Sequence, residues 1–361
     1  MGVRGVDCKA AFQLETGAWG SGSVQCGAND MLPFLSEAIS LDKQIATDNI
    51  LVGRGGKGPH SLTRKIYTGP LNLRGVYEGR TLTLLAAVMG SGSVAPVSGS
   101  VYKHTLELDK ITARTGNDVS HFGTFCIEKD LYIAEYKSTK PIKVTLSLTP
   151  DNNAVLAFDL VSYSFEEDSA NNSDSSAWTP SDFEKIQFED TVISLCAYDK
   201  DKSEWGAADH VCVSELTLTI DQAPEDIITN CSAPYSEEPE AGVRTVGLTF
   251  TVPTWDEDEA THVKDFTAEI EAHTKMMMKI ELIGGTIPGF GDEKYKMTFY
   301  IPTFWIMKGD VNVAGEERIS VTYECLVEVP SDASIELMEQ GTNNNELVVT
   351  VQNTDSAAYL Y

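Results

Sequence analysis

Positive charge is scarce in this 361-residue sequence: 27 Lys and Arg stand against 54 Asp and Glu, a net charge of −27. Such a chain repels phosphates unless metal ions or local basic patches intervene, which makes it a poor binder of nucleic acid or of an anionic membrane. A saline habitat produces the same acidity, so charge alone leaves both explanations open. Long apolar runs are missing too. The longest, Leu82 to Met89, contains a Thr and falls far short of the ~20 residues that span a bilayer. The start, Met1 to Asp7, has neither the apolar stretch of a secretory signal nor the Ser or Thr of a myristoylation pattern. No membrane association is expected.

Cysteine is sparse and unpatterned. Seven are spread along the chain (Cys8, Cys26, Cys126, Cys196, Cys212, Cys231, Cys325), odd in number and never as Cys-x-x-Cys. Reduced thiols buried as small apolar groups are the expected state. The six histidines (His60, His104, His121, His210, His262, His273) form no His-x-x-x-His or His-Glu-x-x-His spacing that would place two metal ligands on one face. Gly53 to Gly58 misses the phosphate-loop pattern because Gly58, not Ser or Thr, follows Lys57. The acidic run Asp256 to Glu259 lacks the Gly and final Glu of a calcium loop. Catalytic, cofactor and metal residues are therefore all expected to be absent.

What the sequence has is period-two alternation. Val144, Leu146 and Leu148 alternate with polar neighbours, as do Leu216, Leu218 and Ile220, and Leu248, Phe250 and Val252. Tyr295 to Ile301, Ile319 to Cys325 and Leu347 to Val351 continue the pattern. Each such run predicts a strand with one buried face, so the fold class is mainly β and antiparallel. Two segments read as short helices: Tyr77 to Met89, stopped by Gly90, and a stretch through Val263, Phe266, Ile270 and Met277. At 361 residues the chain suits two domains of roughly 150–180 residues, and 42% hydrophobic with 22% charged residues is the balance of a folded soluble protein. The division read here is an extended Gly-rich arm over 1–60, a first β domain over 61–180 and a second over 181–361. Residues 90–100 read as a flexible polar connection, 165–180 as a mobile surface loop, and 234–242 as an acidic break. Tyr102-Lys103-His104-Thr105-Leu106 looks like Tyr295-Lys296-Met297-Thr298-Phe299, about 193 residues later and likewise after a helix and a Gly-containing loop. An ancient duplication accounts for this, with Tyr102 and Tyr295 as equivalent strand starts.

In this order of features the chain resembles the tail tube proteins of long, non-contractile phage tails, in the subgroup whose tube domain is duplicated. The likeness rests on Cys26 to Glu37, Tyr77-Glu78-Gly79 through Leu85 to Gly90, Tyr102 to Leu108, Gly242 to Phe250, and Tyr295 to Pro302. The resemblance implies two similar β-sandwich or split-barrel domains, each with a short flanking helix. It implies a structural virion protein of the phage tail, assembled in the host cytoplasm, whose rings stack into a conduit for genome passage. A duplicated subunit needs only three copies for six-fold-like symmetry. The expected partners are the chain itself, a tape measure protein, terminator and tip proteins, and DNA in transit, with Asp and Glu rather than Lys and Arg facing the channel. Gly90, Gly92, Val94, Pro96 and Ser98 are the expected ring-stacking loop, and Leu32, Pro33 and Phe34 the expected arm contacts. A carbohydrate- or cell-binding β module is the alternative, though Trp19, Trp178, Trp205, Trp255 and Trp305 are scattered in sequence. A single-ring terminator or hub component is the other alternative.

Overall fold

Alternating residues become strands with one face in the core. On β11 (Glu215–Asp221) Leu216, Leu218 and Ile220 are buried while Thr217 and Thr219 are half-exposed. The computed structural model describes residues 8–47, 60–109, 121–150, 152–180, 182–198, 205–225, 234–253, 266–312, 320–330 and 345–360. The other strands are β1 (Ala10–Leu14), β2 (Phe34–Glu37), β3 (Ser40–Thr47), β4 (His60–Arg74), β5 (Gly90–Ser98), β6 (Val101–Leu108), β7 (Gly123–Glu128), β8 (Ile133–Leu148), β9 (Val155–Glu167), β10 (Thr191–Ala197), β12 (Thr245–Val252), β13 (Met276–Thr286), β14 (Lys294–Asn312), β15 (Ser320–Val327) and β16 (Val348–Asn353). Two helices join them, α1 (Arg80–Met89) and α2 (Thr267–Ala272).

All these strands belong to one sheet, in the order β2-β4-β9-β8-β11-β12-β15-β14-β16-β6-β5, with β3 added to β4, β7 to β8, β1 to β7, β13 to β14 and β10 to β13. The pairings between these strands are antiparallel. The mainly β expectation therefore holds. Among the described residues one sheet and one main core run through both halves of the chain. Strands from the second half lie between strands of the first, joined through β8–β11 and β16–β6. One hydrophobic cluster contains Phe12, Leu73 and Leu106 together with Leu218, Phe250 and Phe299.

Helix α1 is buried all round: Thr81 to Met89 are all inaccessible, as a helix without a polar stripe requires. It stops where expected. Gly90 adopts φ 91° and donates its N–H to the Ala86 carbonyl, a left-handed cap that favours glycine. The second helix is shorter than its pattern. It covers Thr267–Ala272, His273 turns left-handed at φ 49°, and Met277 lies in β13. Three consecutive Met and the β-rich run to Ile283 favour the strand there once β14 offers a partner. Val263, the Asp256 to Glu259 run and the Gly53 to Gly58 loop lie outside the described residues.

Three readings of loose chain are corrected. Residues 90–98 are not a flexible loop: they form β5, paired along its length with β6. Residues 8–47 are not an extended arm, because β1, β2 and β3 are hydrogen-bonded into the sheet. Past the end of β9, residues 168–180 are pinned. Asn172 Oδ1 accepts from the Cys26 N–H at 2.8 Å, its Nδ2 donates to Val24 O at 3.0 Å and to Glu135, and Trp178 Nε1 donates to Cys26 O at 3.2 Å. Asn171 Nδ2 donates to Ser23 O at 3.0 Å. The expected arm and the expected loop thus satisfy each other's polar groups, which composition alone does not reveal. Residues 234–242 dock as well: Trp19 Nε1 donates to Ser236 O, and the buried Lys140 ammonium donates to Glu238 Oε1 and Pro239 O, both at 2.7 Å.

Candidate assembly surface

A sheet that does not close on itself ends in strands whose outer N–H and C=O groups have no ladder partner. Here β5 ends the order on one side, and β2 with β3 ends it on the other. β5 carries the five residues expected to stack rings. Gly90, Gly92, Val94, Pro96 and Ser98 pair with or lie beside Leu108, Leu106, His104, Tyr102 and Val101 respectively, in a hairpin closed by Gly99 and Ser100. From Gly92 to Ser98 every side chain except Val94 is exposed, and Val97 is 45% exposed. None of the nine residues is charged. Pro96 and the register shift after it are the only features in it that blunt an edge.

Leu32, Pro33 and Phe34 lie at the opposite end. Leu32 is buried at 1% and donates its N–H to Ala10 O at 2.8 Å, the Pro33 carbonyl accepts from Arg74 N at 2.9 Å, and Phe34 pairs with Leu73. They are built into the sheet rather than displayed on an arm. Leu35 and Ile45, 45% and 51% exposed, are the apolar residues this edge presents.

Tyr102 and Tyr295 are brought into equivalent settings. β6 and β14 flank β16, both antiparallel to it. Lys103 and Lys296 lie opposite Gln352 from the two sides, and Thr105 and Thr298 lie opposite Thr350. The two similar sequences therefore occupy matching registers around one shared strand. Beneath them, His104 Nε2 contacts Asn353 Oδ1 at 3.1 Å and Asp355 O at 2.8 Å, and Tyr359 donates to Asp355 Oδ2 at 2.7 Å. Asp355 Oδ2 also accepts from the Gly79 N–H at 3.1 Å, which places a carboxylate at the start of α1. Burial outweighs these contacts and holds the His104 imidazole below its ordinary pKa. This network ties residues 353–360 to the helix.

The outer face of β8, β11, β12 and β15 is rich in hydroxyls. Thr145, Ser147, Thr217, Thr219, Thr249, Thr251 and Thr322 are half-exposed on it, with Thr145 and Thr219 Oγ1 atoms 3.2 Å apart and those of Thr251 and Thr322 3.0 Å apart. Its lysine, Lys143, lies between Asp159 and Asp221, at 3.9 and 3.8 Å. Glu215 and Glu324 are exposed there.

Sequence reasoning missed one cluster. Around β10, β13 and β14 the scattered aromatics meet: Lys275 Nζ lies 5.4 Å from the Tyr198 ring centre and 5.5 Å from that of Trp305, and Lys279 lies 5.6 Å from that of Trp205. These are cation–π distances. Lys279 lies in β13 and Lys275 just before it, and no local signal pairs them with residues 198, 205 and 305.

Among the described residues no group of three or more His, Cys, Asp and Glu is arranged to hold a metal ion, and no helix is long and apolar enough to cross a membrane. None of the six described cysteines is in a disulfide, and Cys26, Cys126 and Cys196 are buried. No family model matches the chain, and no curated protein matches it.

Proposed function

We propose that this chain is a structural, self-assembling protein of the tail tube kind, joining copies edge to edge into rings that stack into a conduit for a genome. The observation that carries this reading is a single sheet whose strand order ends in unlike strands, an uncharged β5 at one end and β3, laid along the outside of β4, at the other. Unlike edges that join head to tail make a heterologous contact, which closes into a ring when the rotation per copy divides the circle. Closure removes the free edges that otherwise invite aggregation.

Two further observations support it. The matched registers of β6 and β14 around β16 fit a duplicated tube domain, with α1-β5-β6 and α2-β13-β14 as corresponding helix-hairpin units. The hydroxyl-lined outer face with its paired lysine fits a wall that DNA passes without counterion release, the effect that makes a basic surface hold phosphates. On this reading a tape measure protein fills the lumen during assembly, and terminator and tip proteins bound the tube.

Negative-stain electron microscopy of the concentrated protein, with light scattering alongside, tests it. Hollow tubes of uniform width with a regular axial repeat are expected. Single rings that never stack would move the assignment to a terminator or hub component.

A glycan-binding module is the second reading, favoured by the half-exposed Tyr198, Trp205 and Trp305 cluster. Monodisperse protein that binds glycans in an array, and loses binding in Trp305→Ala, would replace the tube reading.

A further inference from the structure

A cavity of about 250 Å³ opens beside β2, walled by Met31, Phe34, Leu35, Pro180 and Phe183, with Arg74 among its lining residues. Two cations form salt bridges with residues in or beside β2. Arg80 is ion-paired with Asp30 at 2.7 Å and Lys129 with Glu37 at 2.7 Å. The half-buried guanidinium of Arg74 has no hydrogen-bond or ion-pair partner among the described residues, in a chain with twice as many acidic as basic residues. An Arg fork is the side chain best shaped to take a carboxylate, and a setting of aromatic and aliphatic carbons strengthens that contact by excluding water.

The backbone of β2 lies at the cavity, next to residues 30–32, which pair with β1. β2 is hydrogen-bonded to β4 on one side only. A register shift between Phe34 and Ser36 leaves Leu35 out of the ladder and 45% exposed at the cavity mouth. Bulges of this kind re-aim a side chain at a sheet edge. An edge strand, an apolar pocket and an unpaired cation together make the apparatus by which an extended peptide is captured: main-chain bonds along the edge, side chains in the pocket.

We propose that this edge is a docking groove for a second copy of the chain. That copy contributes an extended segment in which an Asp or Glu pairs with Arg74 and a neighbouring large apolar residue fills the cavity. Charge complementarity favours a second copy: a chain of net charge −27 supplies carboxylates in excess, and Arg74 is a cation without a side-chain partner among the described residues. The proposal rests on the self-assembly reading, but it does not depend on rings or tubes being the product.

The test uses the full chain with a photo-crosslinking phenylalanine analogue in place of Leu35, read by peptide mass spectrometry. Sedimentation velocity is run on the wild type, Arg74→Glu and Arg74→Gln, each checked for an unchanged melting transition. The expected result is a cross-link to a second copy, in a peptide carrying Asp or Glu within two residues of a large apolar side chain. Arg74→Glu should lower its yield at least tenfold, with Arg74→Gln between. Oligomers that form equally well in all three proteins, with Leu35 cross-linked elsewhere or to nothing, would overturn the groove while leaving self-assembly standing. A protein that stays monomeric and never cross-links would overturn both. A cross-link to a different protein, or a small carboxylate compound retained in native mass spectra, would overturn the choice of occupant.

Discussion

Residues 90–98, mostly Gly, Ser and Val, and residues 168–180, mostly Ser, Asn, Asp and Ala, are both rich in small residues with few large apolar groups, and have opposite structural fates. The first is an edge strand held by one neighbour, with nearly every side chain in solvent. The second has almost no regular structure, yet Ser169, Asn172, Ser175 and Trp178 are buried and its polar atoms are satisfied from residues 23–28 and Glu135. Regular secondary structure and fixed position are thus separate properties. A strand is spent on an open surface here, and an irregular segment is fastened to the interior. The difference lies in whether a large anchor such as Trp178 is available and whether buried polar partners await it.

This contrast makes a graded set of predictions. Trp178→Ala should have the largest effect, destabilising by about 3–5 kcal/mol through the lost burial and the cavity left behind. Urea denaturation measures it, and a cost below ~1 kcal/mol would mean that the segment is not fastened as described. Asn172→Ala should cost about 1–3 kcal/mol, because the buried Glu135 carboxylate and the Cys26 N–H each lose a partner.

Glu15, beneath the same segment, sharpens the comparison through pH. It accepts from Ser138 N, Ser138 Oγ and Thr124 Oγ1, each at 2.8 Å, but burial dominates and raises its carboxyl above the ordinary 4.5, with Glu135 adding repulsion. A raised folded pKa contributes stability below the unfolded value that is lost as pH rises through the folded value. Glu15→Gln keeps an acceptor for Ser138 N and Thr124 and offers its amide to the Ser138 hydroxyl. Its melting temperature should therefore gain on the wild type as pH climbs from about 4.5 towards neutrality. A difference that stays flat between pH 4.5 and 8 would show that Glu15 is not titrating in the folded state.

Val97→Lys on β5 should have the smallest effect on stability, within about 0.5 kcal/mol, since the side chain is already in solvent. It should nevertheless abolish polymerisation, because a lysine on an edge is a common barrier to edge pairing. Loss of stability without loss of assembly would reverse the roles assigned to the two regions.

Much of the fold was legible because it is local. The alternation of Leu216, Leu218 and Ile220 names a strand and its inner face without reference to any partner, and α1 announces itself through an apolar run stopped by Gly90. The candidate surface was legible in part. Residues 90–98 were singled out by their Gly and Ser content, which marks accessibility, but that content argued for a loop. β6 overrode it by offering a continuous ladder partner. The Arg74 cavity carried no local signal, since its walls come from residues 8, 31–35, 74, 180 and 183.

By itself the sequence determined the class of the fold, the inner and outer faces of its strands, the place of α1, and a charge that disfavours holding phosphates. These follow from period, propensity and composition, which need no knowledge of what lies across from a residue. The tertiary structure alone decided that residues 8–47 belong to the sheet, that residues 168–180 close over residues 23–28, and that β6 and β14 share β16 in one register. It alone decided which strands stay open at the ends. The reason is physical: strand pairing joins residues far apart in sequence, and a backbone edge is open or closed according to what packs beside it, not according to its own side chains.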